Sequence, residues 1–152
     1  MGAIVPRTID AWAKTNGFVK NSGSWYLERE ETILVADLQK SNYSQRYFLN
    51  LSVWLREIEE ARFPAERKCH VRTRLTQLVP DSGQVDQLFD DEWLEAHPDA
   101  VAMVGSLLDT VVGNVMEVTA SLGALQSAEG QVFVRTALVS GSAQALLATS
   151  GR

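Results

Sequence analysis

Residues 43–55 read Tyr43-Ser-Gln-Arg-Tyr-Phe-Leu-Asn-Leu-Ser-Val-Trp-Leu55, and this stretch decides the fold class. Tyr43, Tyr47, Leu49, Leu51, Val53 and Leu55 fall on one side of an extended chain. Arg46, Asn50 and Ser52 fall on the other, with Phe48 and Trp54. Side chains of a strand alternate between two faces, so this pattern predicts a half-buried antiparallel strand with one wetter face.

Working outward, Thr32 to Lys40 is rich in β-branched residues and predicts a second strand. Trp25 and Leu27 alternate with Tyr26 and Glu28 and predict a first, after a turn at Asn21-Ser22-Gly23-Ser24. Arg29-Glu30-Glu31 is short enough for a hairpin. A charged connector, 56–67, is broken by Pro64. A fourth strand is expected over about Cys69–Val79, with Cys69, Val71, Thr73, Leu75 and Val79 on one side and His70, Arg72, Arg74 and Thr76 on the other.

The flanks change period. Ile4, Ile9, Trp12 and Ala13 form a helical stripe with Pro6 in the first turn and Asn16-Gly17 as a stop. Beyond Pro80 the chain reads as helical. Asp90, Asp91 and Glu92 suit a helix start, where carboxylates meet the positive end of the dipole. Pro98 opens a helix with a stripe of Val101, Val104, Leu108, Val111/Val112 and Val115. Its apolar run, 100–116, is shorter than the roughly 20 residues that span a bilayer and contains Asp109, so it reads as a buried helix. The expectation is an α+β fold in a single domain over 1–152. It has a helix over 5–16, an antiparallel meander of about four strands within 24–79, and mainly helix over 84–152, packed on one sheet face.

With 152 residues the chain is long enough to bury a core without a disulfide or metal, and Cys69 is its only cysteine. The opening residues lack the basic and long apolar regions of a secretory signal, so the cytoplasm is the expected compartment. Net charge is −5 but uneven: residues 1–80 carry 12 Lys/Arg against 9 Asp/Glu, and 81–152 carry 2 against 10. That asymmetry is suited to steering a charged partner, or reflects two ordinary solvated surfaces. Thr119–Arg152 has Glu129 and Arg135 as its only charges before the terminal arginine, so it is expected to dock on the body or to form a homodimer contact.

The segment 37–54 includes Gln39-Lys40-Ser41 and Phe48-Leu49-Asn50-Leu51. With Gly17-Phe18-Val19-Lys20 and Trp25-Tyr26-Leu27 upstream, it resembles the bacterial domain-of-unknown-function family 4304 over about residues 5–80. The resemblance implies an α+β fold. It implies no activity and carries over no catalytic residue.

Nucleotide-binding glycine loops and a nucleophile elbow are absent from the sequence. No cofactor and no metal are expected: His97 with its neighbouring acids matches no standard ligand spacing, and adjacent Cys69 and His70 would point to opposite faces of a strand. A lone cysteine on the apolar side reads as packing. One constellation stands out. If the third and fourth strands are neighbours, Arg46, Phe48 and Asn50 meet His70, Arg72 and Arg74 on the wetter face. Arginines at i and i+2 are placed to hold a carboxylate or phosphate. Two alternatives remain open at this point: a solvated face paired with nearby glutamates, or a face covered by the C-terminal helices.

The leading functional expectation is a non-enzymatic protein that binds another protein through this basic-aromatic face. The alternative is a binder of a small anionic ligand, or an enzyme with His70 as proton carrier. Single-stranded nucleic acid ranks third because the chain is acidic and lacks a Lys/Arg run. No membrane contact is expected.

Overall fold

The computed structural model describes residues 3–149. Helix α1 (Ile4–Thr15) buries Val5, Ile9 and Ala13, and Gly17 at φ +91° ends it in the left-handed region that glycine adopts without strain. No side chain of its own caps α1. The carboxylate of Asp91 does so from a distance, accepting the N–H of Ala3 at 2.6 Å and of Val5 at 2.8 Å.

Six strands follow as an antiparallel meander in sequence order: β1 (Val19–Asn21), β2 (Ser24–Glu28), β3 (Thr32–Lys40), β4 (Tyr47–Leu55), β5 (Val71–Arg74) and β6 (Leu138–Val139). The alternation predicts about four. β1 and β6 are three- and two-residue edge strands, too short to show a period. Ser22 and Gly23, both at positive φ, make the two-residue β1–β2 turn.

Two strand boundaries differ from expectation. The third predicted strand begins at Tyr47, because Tyr43 sits at an exposed hairpin tip and shares only parity with the buried positions. The fourth is only four residues long. Leu75 is buried within a 3₁₀ turn (Leu75–Gln77), where it mimics the next inward position of a strand. Cys69 lies before β5, after a 3₁₀ turn at Glu66–Lys68. The alternation therefore does not govern it, and it joins Tyr26, Ile33, Val35 and Trp54 rather than Val71.

One sheet face carries Trp25, Leu34, Ala36, Leu49, Leu51, Val53, Leu55 and Val71 into the main core. The helices pack there. They are α2 (Ser82–Leu88), α3 (Asp91–Ala96) and a helical run Pro98–Val118, which divides into α4 (Val101–Leu107), a π turn (Leu108–Val112) and α5 (Gly113–Val118). As expected, Asp90 caps α3 and Pro98 sits in the first turn of the run. By length and composition this run is able to cross a membrane. In the fold Val104, Leu108, Val112, Val115 and Val118 form its buried stripe, while Ser106, Asp109, Thr110, Asn114 and Glu117 are exposed. Three further helices, α6 (Leu122–Gln126), α7 (Ala128–Arg135) and α8 (Gly141–Thr149), bring Leu122, Leu125, Phe133, Ala143 and Leu147 to the same core.

The outer face is covered at one end only. The connector between β4 and β5 folds over it, with the Tyr26 hydroxyl donating to Pro64 O at 3.0 Å and Trp54 Nε1 to Glu59 O at 2.6 Å. Phe63 meets the Tyr26 ring edge-on at 5.1 Å. The C-terminal helices leave this face alone, so of the two alternatives above, coverage by helices does not occur.

Candidate functional site

The uncovered end of the outer face is built by register. Asn50 pairs with Arg74 and Ser52 with Arg72 across β4–β5, while Gln39 pairs with Phe48 across β3–β4. Residues paired in this way share a face, so Gln39, Phe48, Asn50 and Arg74 converge. Arg74 donates from Nε to Asn50 Oδ1 and from Nη2 to Gln39 Oε1, both at 3.0 Å, and its guanidinium lies 4.6 Å from the centre of the Phe48 ring. Two neutral amides and an aromatic face thus fix the fork without neutralising it. Among the described residues no carboxylate pairs with Arg74.

Arg72, two residues earlier, is different. Glu66 from the connector accepts its Nε at 3.0 Å and its Nη2 at 3.3 Å, and also the Ser52 hydroxyl at 2.6 Å. This bidentate contact raises the pKa of Arg72, partly offset by burial. It also leaves the pair electrically balanced; the other charges of this end are Arg74 and, one strand beyond Asn50 in the same cross-strand row, Asp37, which accepts the Ser24 hydroxyl at 2.8 Å.

The remaining predicted residues lie elsewhere. The Arg46 guanidinium reaches Asp86 of α2 at 3.7 Å and its backbone forms an isolated β-bridge with Asp90, which draws it toward the helices and away from the Arg74 group. His70 does share the outer face, but under the connector. Its ring lies 4.3 Å from that of Trp54, and Nδ1 accepts the Leu55 N–H at 2.9 Å. Burial lowers its pKa, with Glu59 opposing in part. Cys69 and His70, expected on opposite faces, both flank Trp54 because Cys69 precedes the strand. The Cys69 thiol is pushed up to about 12 by burial first and by Glu66 second.

Beside β5 the sheet opens into a groove of about 450 Å³ whose lining includes the balanced Glu66–Arg72 pair, Asn50, Arg74, Gln77 and the 136–138 wall. β6 creates it by stopping early, since Leu138 pairs with Arg72 and nothing pairs with Arg74 on that side. Sequence reasoning missed Gln39, Glu66 and the 136–138 wall. Gln39 was accessible from hairpin parity, whereas a glutamate in an irregular connector and a two-residue strand give no periodic signal.

The comparisons with known proteins bear on this arrangement. The family model described as "Domain of unknown function (DUF4304)" matches residues 9–105, more than half of the chain. The chain belongs to that family. The match extends past the expected 5–80 to include α2, α3 and the start of the long helical run, and it covers the strands that carry Arg72 and Arg74. The groove wall at 136–138 lies beyond it. No curated protein and no solved structure matches the chain.

Proposed function

We propose that this is a non-enzymatic binding protein that uses the Arg74 end of its outer sheet face to recognise an acidic group on another protein. The observation that carries the reading is Arg74 itself: a guanidinium held by Asn50, Gln39 and Phe48, in no ion pair with a described carboxylate, beside an open groove. A cation fixed before binding loses little side-chain entropy when a partner arrives, so its charge is available for affinity.

The non-enzymatic half of the reading draws support from the titratable groups nearby. His70 is a buried acceptor for a backbone N–H, and Cys69 holds its proton to about pH 12. Neither supplies a proton carrier or a nucleophile at neutral pH.

Affinity capture with wild type and Arg74→Glu, each verified as folded by circular dichroism, tests the proposal. A partner held by wild type in a salt-sensitive manner and lost by the variant supports it; identical captures reject it. The groove volume favours one second reading, a small anionic ligand. That reading predicts ligand-dependent thermal shifts in the absence of any captured protein.

A further inference from the structure

Resting on that reading, we infer that the acidic group recognised is the C-terminal carboxylate of a peptide, with the last residue seated in the groove between Arg74 and Leu138. Charge gives the first reason. The Arg72–Glu66 pair is balanced, so Arg74 is the one groove-lining cation outside an ion pair, and Asp37 stands two strands away on the same face; a single net positive charge matches a monoanionic carboxylate rather than a phosphate of nearly two.

The donors in the groove give the second reason. At the β5–β6 edge the N–H of Ser140 donates to His70 O at 2.9 Å and Leu138 stands opposite Arg72, so the His70 carbonyl and the main-chain groups of Arg72 and Arg74 are directed to the β6 side, while the His70 N–H turns back to Val53 O of β4 at 3.1 Å. β6 ends at Leu138, opposite Arg72. The N–H of Arg74 is therefore directed into the groove where no strand carbonyl meets it. Arg74 Nη1 has no protein partner among the described residues, and neither does the Gln77 side-chain amide. A carboxylate supplies two acceptor oxygens for such a set of donors.

Shape gives the third reason. A C-terminal residue carries its carboxylate and its side chain on one carbon. Ala137 and Leu138 line the same groove as Arg74, and Leu138 is 75% exposed, so its side chain is open to contact by an apolar group. An acidic side chain within a peptide brings only its own one or two methylenes next to the charge, and the nearest larger apolar side chain lies several bonds away on another residue. The site thus reads a free chain end with an apolar last side chain.

The experiment titrates ¹⁵N-labelled protein with N-acetyl-Ala-Ala-Leu as the free acid, the same peptide as its C-terminal amide, and N-acetyl-Ala-Glu-Ala amide. The Arg74 Nε and the Arg74, Gln77 and Leu138 amide signals are followed. The expected result is saturable binding of the free acid at these signals, at least about tenfold weakened by amidation and by Arg74→Gln. Equal binding of the internal-glutamate amide overturns the chain-end inference while the acidic-group reading survives. Absence of response to all three probes overturns both. Leu138→Ser, a change at an exposed position, tests the apolar wall independently should Arg74→Gln prove unstable. It weakens the leucine-ending acid selectively, and an unchanged affinity rejects the seat assigned to the last side chain.

Discussion

Leu55 donates its backbone N–H to Nδ1 of His70 over 2.9 Å, which places the ring proton of His70 on Nε2. Protonating Nδ1 would turn this acceptor into a second donor facing a donor. Burial lowers the His70 pKa in the same direction. The unfolded chain, with an ordinary histidine near 6.5, therefore takes up a proton before the folded protein does. Stability is full above about pH 6.5 and falls as pH drops from there toward the folded pKa, with a slope from this group of at most ~1.4 kcal/mol per pH unit. Urea denaturation at pH 7.5 and pH 5 measures the loss. In His70→Asn, whose amide oxygen replaces the acceptor without titrating, the difference between the two pH values should shrink.

Cys69 gives a chemical readout of the same covered corner. With its thiol at about 12 and its side chain buried, it should react slowly with a disulfide reagent at pH 8 in the native state and completely in denaturant. Fast native labelling would show that the connector opens readily.

Arg29 ties the β2–β3 turn to the end of the long helical run. Its Nη1 donates to Met116 O, and its Nη2 to Thr119 O and Oγ1, at 2.8–2.9 Å. Burial lowers its pKa to about 10, which leaves it charged at neutral pH. A cation at a helix C-terminus is favoured by the dipole and by carbonyls that lack intrahelical partners. Arg29→Met should destabilise the protein by about 2–4 kcal/mol, read as a lowered urea midpoint with an unchanged slope.

Gly130 marks a close helix approach. A Cβ built there would lie 2.0 Å from the backbone oxygen of Ala124 and 2.6 Å from the carbonyl of Leu125. Backbone atoms cannot yield as a side chain does, so Gly130→Ala should force α6 and α7 apart and reduce stability by about 2 kcal/mol or more. Thermal melts of the two variants check this: Gly130→Ala lowers the midpoint, whereas Gly105→Ala, at a position where the added Cβ meets open space, should be neutral or slightly stabilising.

The sequence carried much of this fold because its signals are periodic. Leu49, Leu51, Val53 and Leu55 had to face the core whatever lay beyond them, and the stripe Val104, Leu108, Val112 and Val115 had to bury one helix face. The grouping of Phe48, Asn50, Arg72 and Arg74 was legible for the same reason, since parity within two adjacent strands fixes which side chains share a surface. Periodicity fails where a strand stops. Arg46 and Cys69 continued the alternation on paper, yet each lies just outside its strand, where the local turn sets its direction.

Only the tertiary structure decided which charges remain uncompensated. Glu66 lies in an irregular connector and balances Arg72, while Asp86 comes from a helix forty residues after Arg46 and removes that arginine from the group. The end of β6 at Leu138 opens the groove beside Arg74. The sequence by itself determined the sheet, its buried side and the helical second half, because hydrophobic burial acts through a regular local repeat. The structure decided the site, because charge pairing and strand ends depend on contacts between distant segments that no local repeat encodes.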